Sequence, residues 1–286
     1  MPEKYEEYIE RLRTYCRRRN LSLETEKSYI STIKRFFTFV GNNHEAFTCQ
    51  DVRDFLDNEF ALGKKPRYIN TESKHLKCLY QYVFKIVWDY ELLPRVKFDK
   101  NVPLVLTKEE IDKLIDCTKN LKYKAIFAVM YSGGLRVSEA ARLRYEDISR
   151  KNMLIHITKS KSRCDRYTIL SKNCLDLLTE YWFACGKPTG YLFVSQSTGG
   201  HISKSTIENV FKKNRKLSGI NPKASPHTLR HSFATHLLEN GESLKTIQVL
   251  LGHSTMQITE MYLTVTNKTL MGVKSPYDYE QEAGNE

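Results

Sequence analysis

The chain has 286 residues, of which 45 are Lys or Arg and 33 are Asp or Glu, so its formal net charge at pH 7 is +12. This length favours two domains, and the charge favours a polyanionic partner. No apolar run reaches the about 18 to 20 residues of a membrane span, and residues 1–7 lack the apolar segment of a signal peptide. The seven cysteines include no Cys-x-x-Cys pair and fit a reducing compartment. We therefore expect a cytoplasmic protein without a membrane partner.

The first third of the chain is predicted to be helical. Apolar residues that share one helical face recur at Tyr29, Ile33, Phe36, Phe37 and Val40. Lys27, Lys34 and Arg35 fall on another side of this helix, where they would be available to phosphates. A second helix is predicted over residues 51–56, and a third begins at Pro66, a favourable first-turn residue. We expect residues 1–94 to form a helical DNA-binding domain.

A linker is predicted over residues 95–106. The segment between Pro94 and Pro103 has no helical period, and proline favours an extended backbone in the residue before it. Directly afterwards, Thr107-Lys108-Glu109-Glu110 has the form of a capping box that precedes an apolar helical pattern. A second domain is therefore expected over residues 107–286.

This second domain is predicted to be mostly helical with one small antiparallel sheet. A buried helix over residues 121–131 is ended by Gly133-Gly134. Strands are predicted over residues 153–158 and 166–170, joined by a basic turn. Ser225-Pro226 has the form of a helix start, and Asn240-Gly241 would end that helix. Two further helices are predicted over residues 173–184 and 205–217.

The same domain carries side chains that suit the cleavage of a phosphodiester. Charge builds on the non-bridging oxygens during attack, and arginine supplies always-charged, bidentate donors to them. The leaving oxygen needs a proton from a positioned acid, and a tyrosine hydroxyl can form a covalent intermediate. The candidate catalytic residues are, in chain order, Arg136, Lys161, His227, Arg230, His253 and Tyr262.

This set, in this order, resembles the tyrosine recombinase (lambda-integrase-like) family, and most of all its compact Xer-type and transposon or integron members. The most specific match is Gly-Gly-Leu-Arg-Val-Ser-Glu at residues 133–139, followed by His227-x-x-Arg230 and Leu251-Gly252-His253. The resemblance implies a two-domain DNA clamp, mainly α, with a SAM-like core-binding domain. It also implies DNA cleavage through a 3′-phosphotyrosyl intermediate, without metal, ATP or another cofactor.

The resemblance also implies a role for each residue. Tyr262, on a short helix, would be the nucleophile, while the two arginines and two histidines would bind the scissile phosphate. A lysine on the β-hairpin would protonate the leaving 5′ oxygen. Alignment back from residues 165–167 selects Lys161, whereas alignment forward from the preceding strand selects Lys159. We prefer Lys161 and expect Lys159 and Arg163 to contact DNA.

Two other functions remain open at this point. Residues 244–254 can also form a helix-turn-helix with Gly252 in the turn, as in a DNA-binding regulator. A type IB topoisomerase-like enzyme would use similar catalytic groups. The recombinase hypothesis implies a double-stranded recombination site, a homotetramer or heterotetramer on synapsed DNA, and a nucleoid-associated location. Chromosome dimer resolution, transposition, integron recombination and phage integration are not distinguished by these residues.

Overall fold

The computed structural model describes residues 3–42, 44, 46–99, 102–158, 165–253 and 255–263. The chain divides into two compact units, residues 1–100 and 101–286. In the ranges just given, each unit is mainly helical, and the second contains a three-stranded antiparallel sheet. Among the helices of these described ranges, none has the length and apolar character needed to cross a bilayer.

The described residues of the first unit form four α-helices around an aromatic core. Their bounds are α1 Glu3–Arg18, α2 Leu23–Val40, α3 Cys49–Ala61 and α4 Pro66–Cys78. The chain continues from α4 into a π-helical turn, Leu79–Phe84, which ends at Lys85 with a φ of +63°. The rings of Tyr5 and Phe37 stack with centroids 4.2 Å apart inside this core.

The apolar face predicted for α2 and the helix start predicted at Pro66 are both present in the structure. The apolar face of α2 is buried, and Pro66 occupies the first turn of α4. The end of α4 differs from a simple continuation of the helix. The helix ends with the π-helical turn, and in the non-helical segment that follows Val87 is 87% exposed while Trp88 is buried.

The guanidinium of Arg35 is engaged inside the first unit. It donates to the Glu59 carboxylate at 2.6 Å, to the Tyr68 hydroxyl at 2.8 Å and to the Glu72 carboxylate. Glu59 and Glu72 are both buried, so they need a positive partner. The guanidinium of Arg35 is therefore committed to these partners, whereas Lys27 and Lys34 are exposed, and DNA contact by all three residues stays a prediction.

Parts of the predicted linker are packed into the cores of the two units. Val96 contacts the core of the first unit, and its backbone exchanges hydrogen bonds with the Asn70 side chain at 2.8 and 3.0 Å. Leu106 is fully buried in the second unit, and its N–H donates to the Ser232 hydroxyl at 2.9 Å. Each unit therefore fixes one end of this segment.

The second unit contains helices α5 to α12. Their bounds are α5 Lys108–Cys117, α6 Leu121–Ser132, α7 Val137–Arg142, α8 Lys172–Ala184, α9 Lys204–Ser218, α10 Pro226–Glu239, α11 Leu244–Leu251 and α12 Gln257–Glu260. The predicted capping box is present at the start of α5, where Thr107 and Glu110 exchange side chain-to-backbone hydrogen bonds. The predicted start and end of α10 are also confirmed.

The sheet has the strand order β1-β2-β3, with strands β1 Ile148–Ser149, β2 Leu154–Ile157 and β3 Arg166–Ile169. The two longer strands were predicted, and the short β1 was not. In β3 the alternate residues Arg166 and Thr168 are buried, while Tyr167 and Ile169 are exposed. An arginine therefore points into the interior from this strand.

Helix α10 is buried along most of its length. Leu229, Phe233 and Ala234 supply its apolar contacts. Arg230 and Ser232 lie on the same helix and are also almost fully buried. A charged group at such a position needs hydrogen-bonding partners from neighbouring elements, and these partners define the candidate site.

Candidate active site

A buried ion pair between Glu139 and Arg166 forms the base of the site. The two guanidinium nitrogens Nη1 and Nη2 of Arg166 donate to the two carboxylate oxygens of Glu139 at 2.9 and 2.8 Å. Burial alone would raise the pKa of Glu139, but the hydrogen bond and charge of Arg166, with those of Arg136, lower it to about 2. Glu139 is therefore ionised at neutral pH and links two helices and a strand through its arginine partners.

Arg136 lies directly before α7 and is held by the same carboxylate. Its backbone N–H donates to Glu139 at 2.8 Å, and its Nη1 donates at 2.7 Å. The Arg136 side chain keeps 19% of its surface exposed, against 4% for that of Glu139. This places a fixed but accessible guanidinium beside the buried pair.

Arg230 connects the ends of two helices. Its Nη1 donates at 2.7 Å to the carbonyl oxygen of Gly134, just past α6, and its Nη2 donates at 2.7 Å to that of Leu251, at the end of α11. Nη1 of Arg230 also lies 3.7 Å from Oε2 of Glu139. Carbonyls at a helix C-terminus lack intrahelical partners and carry partial negative charge, so they are suitable acceptors for a buried arginine.

Gly134, in the motif of residues 133–139, and Gly252, in the motif of residues 251–253, allow the helix ends to approach the arginines closely. Gly134 and Gly252 have φ values of +62° and +61°, which favour glycine. A Cβ on Gly134 would clash with the ring of Phe233, and one on Gly252 would lie 2.6 Å from Cδ of Arg166. Both glycines thus serve the packing of helix ends around the arginines.

Tyr262 is almost fully buried, and His253 lies beside it. The two rings are parallel within 13° with centroids 6.4 Å apart, and His253 Nδ1 lies 3.0 Å from the Thr259 hydroxyl. Tyr262 was expected on a short helix, but α12 ends at Glu260 and Tyr262 occupies the following turn. Its N–H donates to the Thr259 carbonyl at 3.0 Å, which fixes this turn.

Burial and the neighbouring positive charges keep His253 and His227 neutral at neutral pH. Burial, followed by the positive charges of Arg230 and Arg136, lowers the pKa of His253 to about 3. His227 is exposed on the first turn of α10, yet the surrounding protein and the charge of Arg230 lower its pKa as well. Burial raises the pKa of Tyr262, although Arg230 and Arg136 act in the opposite direction.

Two residues at the site were not among the predicted ones. Arg166 binds Glu139, and His231 Nδ1 lies 3.1 Å from the Tyr262 hydroxyl. Arg166 could have been found from the sequence, as an arginine at an inward-facing position of a predicted strand. His231 had only a weak signal, its place directly after Arg230.

The remaining predicted residues lie elsewhere. Lys159, Lys161 and Arg163 fall outside the described residues, so the choice of general acid stays a prediction. Lys27 and Lys34 lie on the exposed side of α2 in the first unit. Arg136, Arg230, His253 and Tyr262 are brought together, as the shared contacts and charges above establish.

This arrangement, with two arginines, histidines and a buried tyrosine on a mainly helical unit with a small sheet, defines a tyrosine recombinase. A family model described as "Phage integrase family" matches residues 104–269. A second, described as "Phage integrase, N-terminal SAM-like domain", matches residues 8–90. The chain therefore belongs to the phage integrase family.

Individual relatives agree with this assignment. The chain is 32% identical over 266 residues to a tyrosine recombinase XerA of Pyrococcus horikoshii, covering 92% of this chain and 90% of the relative. It is 33% identical over 263 residues to a tyrosine recombinase of Pseudothermotoga lettingae, covering 87% and 90%. The crystal structure of XerH site-specific recombinase in a post-cleavage complex with palindromic difH substrate has the same fold. Its TM-score is 0.72 at 20% identity, over 94% of this chain and 85% of that one.

Proposed function

We propose that this chain is a site-specific recombinase that acts on double-stranded DNA with Tyr262 as its nucleophile. The observation that carries the proposal is the position of Tyr262, buried beside His253 and within the electrostatic influence of Arg230 and Arg136. Positive charges arranged around a tyrosine hydroxyl suit a reaction at an anionic phosphate. The net charge of +12 favours the same substrate.

The proposed reaction has two chemically matched halves. The Tyr262 oxygen forms a bond to the scissile phosphorus while the bond from phosphorus to the 5′ oxygen breaks. Arg136 and Arg230 bind the non-bridging oxygens, assisted by His227 and His253. The hairpin lysine, Lys161 or Lys159, gives its proton to the leaving 5′ oxygen. A 5′ hydroxyl from another strand then reverses these steps, so the phosphodiester energy is retained without metal or ATP.

The assembly and the division of labour are part of the same proposal. Exchange between two duplexes needs four active sites, so a homotetramer or heterotetramer on synapsed DNA is proposed. Residues 1–94 would bind DNA through exposed residues such as Lys27 and Lys34, and residues 107–286 would carry out the chemistry. Xer-type relatives and the XerH–difH complex support a DNA recombination site as substrate. A DNA substrate also implies a cytoplasmic, nucleoid-associated enzyme.

The test uses a nicked suicide DNA that carries the candidate site found near the gene of this protein. The wild-type chain should form a protein–DNA adduct that survives denaturant, and Tyr262→Phe should form none. Tyr123→Phe, which removes a hydroxyl from α6, is the matched control and should form the adduct at the wild-type level. An adduct that persists in Tyr262→Phe would overturn the assignment of the nucleophile.

Two outcomes would favour the alternatives. Tight, specific DNA binding by the wild type and by Tyr262→Phe, with no adduct from either, would favour a helix-turn-helix regulator. Cleavage and rejoining without exchange between paired sites would favour a topoisomerase-like enzyme. An assay that combines the full-length protein with DNA carrying two copies of the site separates these outcomes. Only a recombinase exchanges the DNA segments that flank the two sites.

A further inference from the structure

The hydroxyl of Tyr262 has a specific partner in the first half of α10. His231 Nδ1 lies 3.1 Å from the Tyr262 oxygen, and the two rings are tilted by 54° with centroids 5.8 Å apart. Helix α10 also supplies Arg230, whose guanidinium is fixed by two backbone carbonyls. His231 is therefore carried by a helix that is itself held in place by the candidate site.

The surroundings of this pair determine the direction of the hydrogen bond. Burial, with the charges of His227 and Arg230, lowers the pKa of His231 to about 4. Burial raises the pKa of Tyr262, and Arg230 and Arg136 oppose that change. His253 also faces this pair, and His231 is among the groups that lower the pKa of His253. At neutral pH the imidazole is therefore neutral and the phenol protonated, so the phenol can donate to Nδ1.

Three other groups of the site, Arg136, Arg230 and His253, are poorly suited to accept this proton. Arg136 and Arg230 are donors without acceptor atoms. The His253 ring lies parallel to the Tyr262 ring, and its Nδ1 is paired with Thr259. His231 combines an unprotonated ring nitrogen with direct contact to the reacting oxygen, which is the geometry that general-base catalysis needs.

We infer that His231 is a catalytic residue that takes the phenolic proton of Tyr262 during attack on the phosphate. This inference rests on the proposed function. The O–H bond of Tyr262 breaks as an N–H bond forms at Nδ1 of His231, while the Tyr262 oxygen bonds to phosphorus. The bond to the 5′ oxygen breaks, and that oxygen receives a separate proton from the hairpin lysine. In the rejoining step, His231 returns its proton to the tyrosine that leaves.

The experiment measures single-turnover cleavage of the nicked suicide DNA by full-length protein. His231→Asn places an amide oxygen near the former Nδ1, so it keeps a hydrogen-bond acceptor but removes the basic nitrogen. We expect its cleavage rate to fall by about 100- to 10,000-fold, the usual contribution of a general base. DNA affinity, measured under the same salt conditions, should remain at the wild-type level.

Helix α10 also offers a matched control. His236 Nδ1 lies 2.9 Å from the hydroxyl of Tyr131, which is a second histidine–tyrosine hydrogen bond on the same helix. His236→Asn should therefore cleave within a few-fold of the wild-type rate. If His236→Asn and His231→Asn lost the same activity, the effect would come from the stability of α10 and the inference would be wrong.

Two readouts separate proton transfer from positioning. With His231 neutral, the wild-type rate should change little between pH about 6 and about 9, whereas that of His231→Asn should rise with pH as the phenolate fraction grows. A fluorinated tyrosine at position 262, whose phenol is more acidic, should restore more activity to His231→Asn than it adds to the wild type. Parallel pH profiles, or equal effects of fluorination, would overturn the inference.

The outcome is also distinct from a failure of the proposed function. If the wild-type chain forms no adduct and Tyr262→Phe behaves identically, the recombinase proposal itself fails. If the wild type forms the adduct through Tyr262 and His231→Asn forms it at the same rate, only the role of His231 is refuted.

Discussion

Replacement of Glu139 by glutamine should destabilise the second unit strongly at neutral pH. The Glu139 carboxylate binds both Nη atoms of Arg166, contacts Nη1 of Arg136 and lies 3.7 Å from Arg230. Glu139→Gln keeps the shape of the side chain but removes its negative charge. The buried guanidinium groups of Arg166 and Arg230 would then repel each other without a compensating anion.

The magnitude follows from two independent routes. The pKa of Glu139 falls from an ordinary 4.5 to about 2, because its arginine partners outweigh burial. At about 1.4 kcal/mol per pKa unit, this corresponds to about 3 kcal/mol of folding free energy at pH 7. Breaking a buried ion pair by removing one partner costs about 3–5 kcal/mol, which agrees.

The pH dependence has a definite sign. Because the pKa is lower in the folded state, the stabilisation is complete above the unfolded value of 4.5 and is lost as pH falls toward 2. The difference between wild type and Glu139→Gln should therefore shrink to about half at pH about 3.

Urea unfolding followed by tryptophan fluorescence would measure this effect. Trp88 and Trp182 are the two tryptophans of the chain, so a Trp88→Phe background leaves Trp182 to report on the second unit. Glu180→Gln, at an exposed position on α8, is the control and should change stability by less than about 0.5 kcal/mol. A loss below about 1 kcal/mol for Glu139→Gln, or one independent of pH, would refute the reasoning.

Three further predictions follow from the packing and the charges. Gly134→Ala should lower stability by at least about 1 kcal/mol more than Gly186→Ala in thermal unfolding, because both have positive φ but only Gly134 lacks room for a Cβ. Arg35→Met should destabilise the first unit by about 3–5 kcal/mol, since it leaves two buried carboxylates unpaired, whereas the exposed Lys34→Met should change stability by less than about 0.5 kcal/mol. DNA binding at pH about 5 should take up protons, because phosphate raises the lowered pKa of His253 from about 3. Calorimetry in buffers of different ionisation enthalpy should detect less proton uptake in His253→Gln, and equal uptake would contradict this.

Local signals explain why much of the helical framework could be predicted from the sequence. The capping box at Thr107, the start of α10 at Pro226 and the end of α6 at Gly133 each depend on residues a few positions apart. Such interactions form within one turn, so the sequence pattern contains the required information. The apolar spacing of Tyr29, Ile33, Phe36 and Phe37 in α2 is a signal that is equally local.

The contacts that the sequence did not predict concern residues whose partners are distant along the chain. Arg35 shares the exposed phase of α2 with Lys34, but Glu59 and Glu72 reach it from α3 and α4. Helical periodicity describes one helix and contains no information about charges on its neighbours. His231 is similar, because its role depends on Tyr262, 31 residues later, and on the turn that follows α12.

The candidate site also explains why the recognisable motifs combine charged residues with glycine. The last two carbonyls of α11, those of Leu250 and Leu251, accept hydrogen bonds from Arg166 and Arg230. These carbonyls have no partner within the helix, and the left-handed Gly252 ends α11 where Arg166 can pack against it. The same helix end precedes His253 directly. The end of α11 therefore satisfies two buried arginines and delivers a histidine to Tyr262, so that stability and the geometry of the candidate site depend on the same backbone atoms.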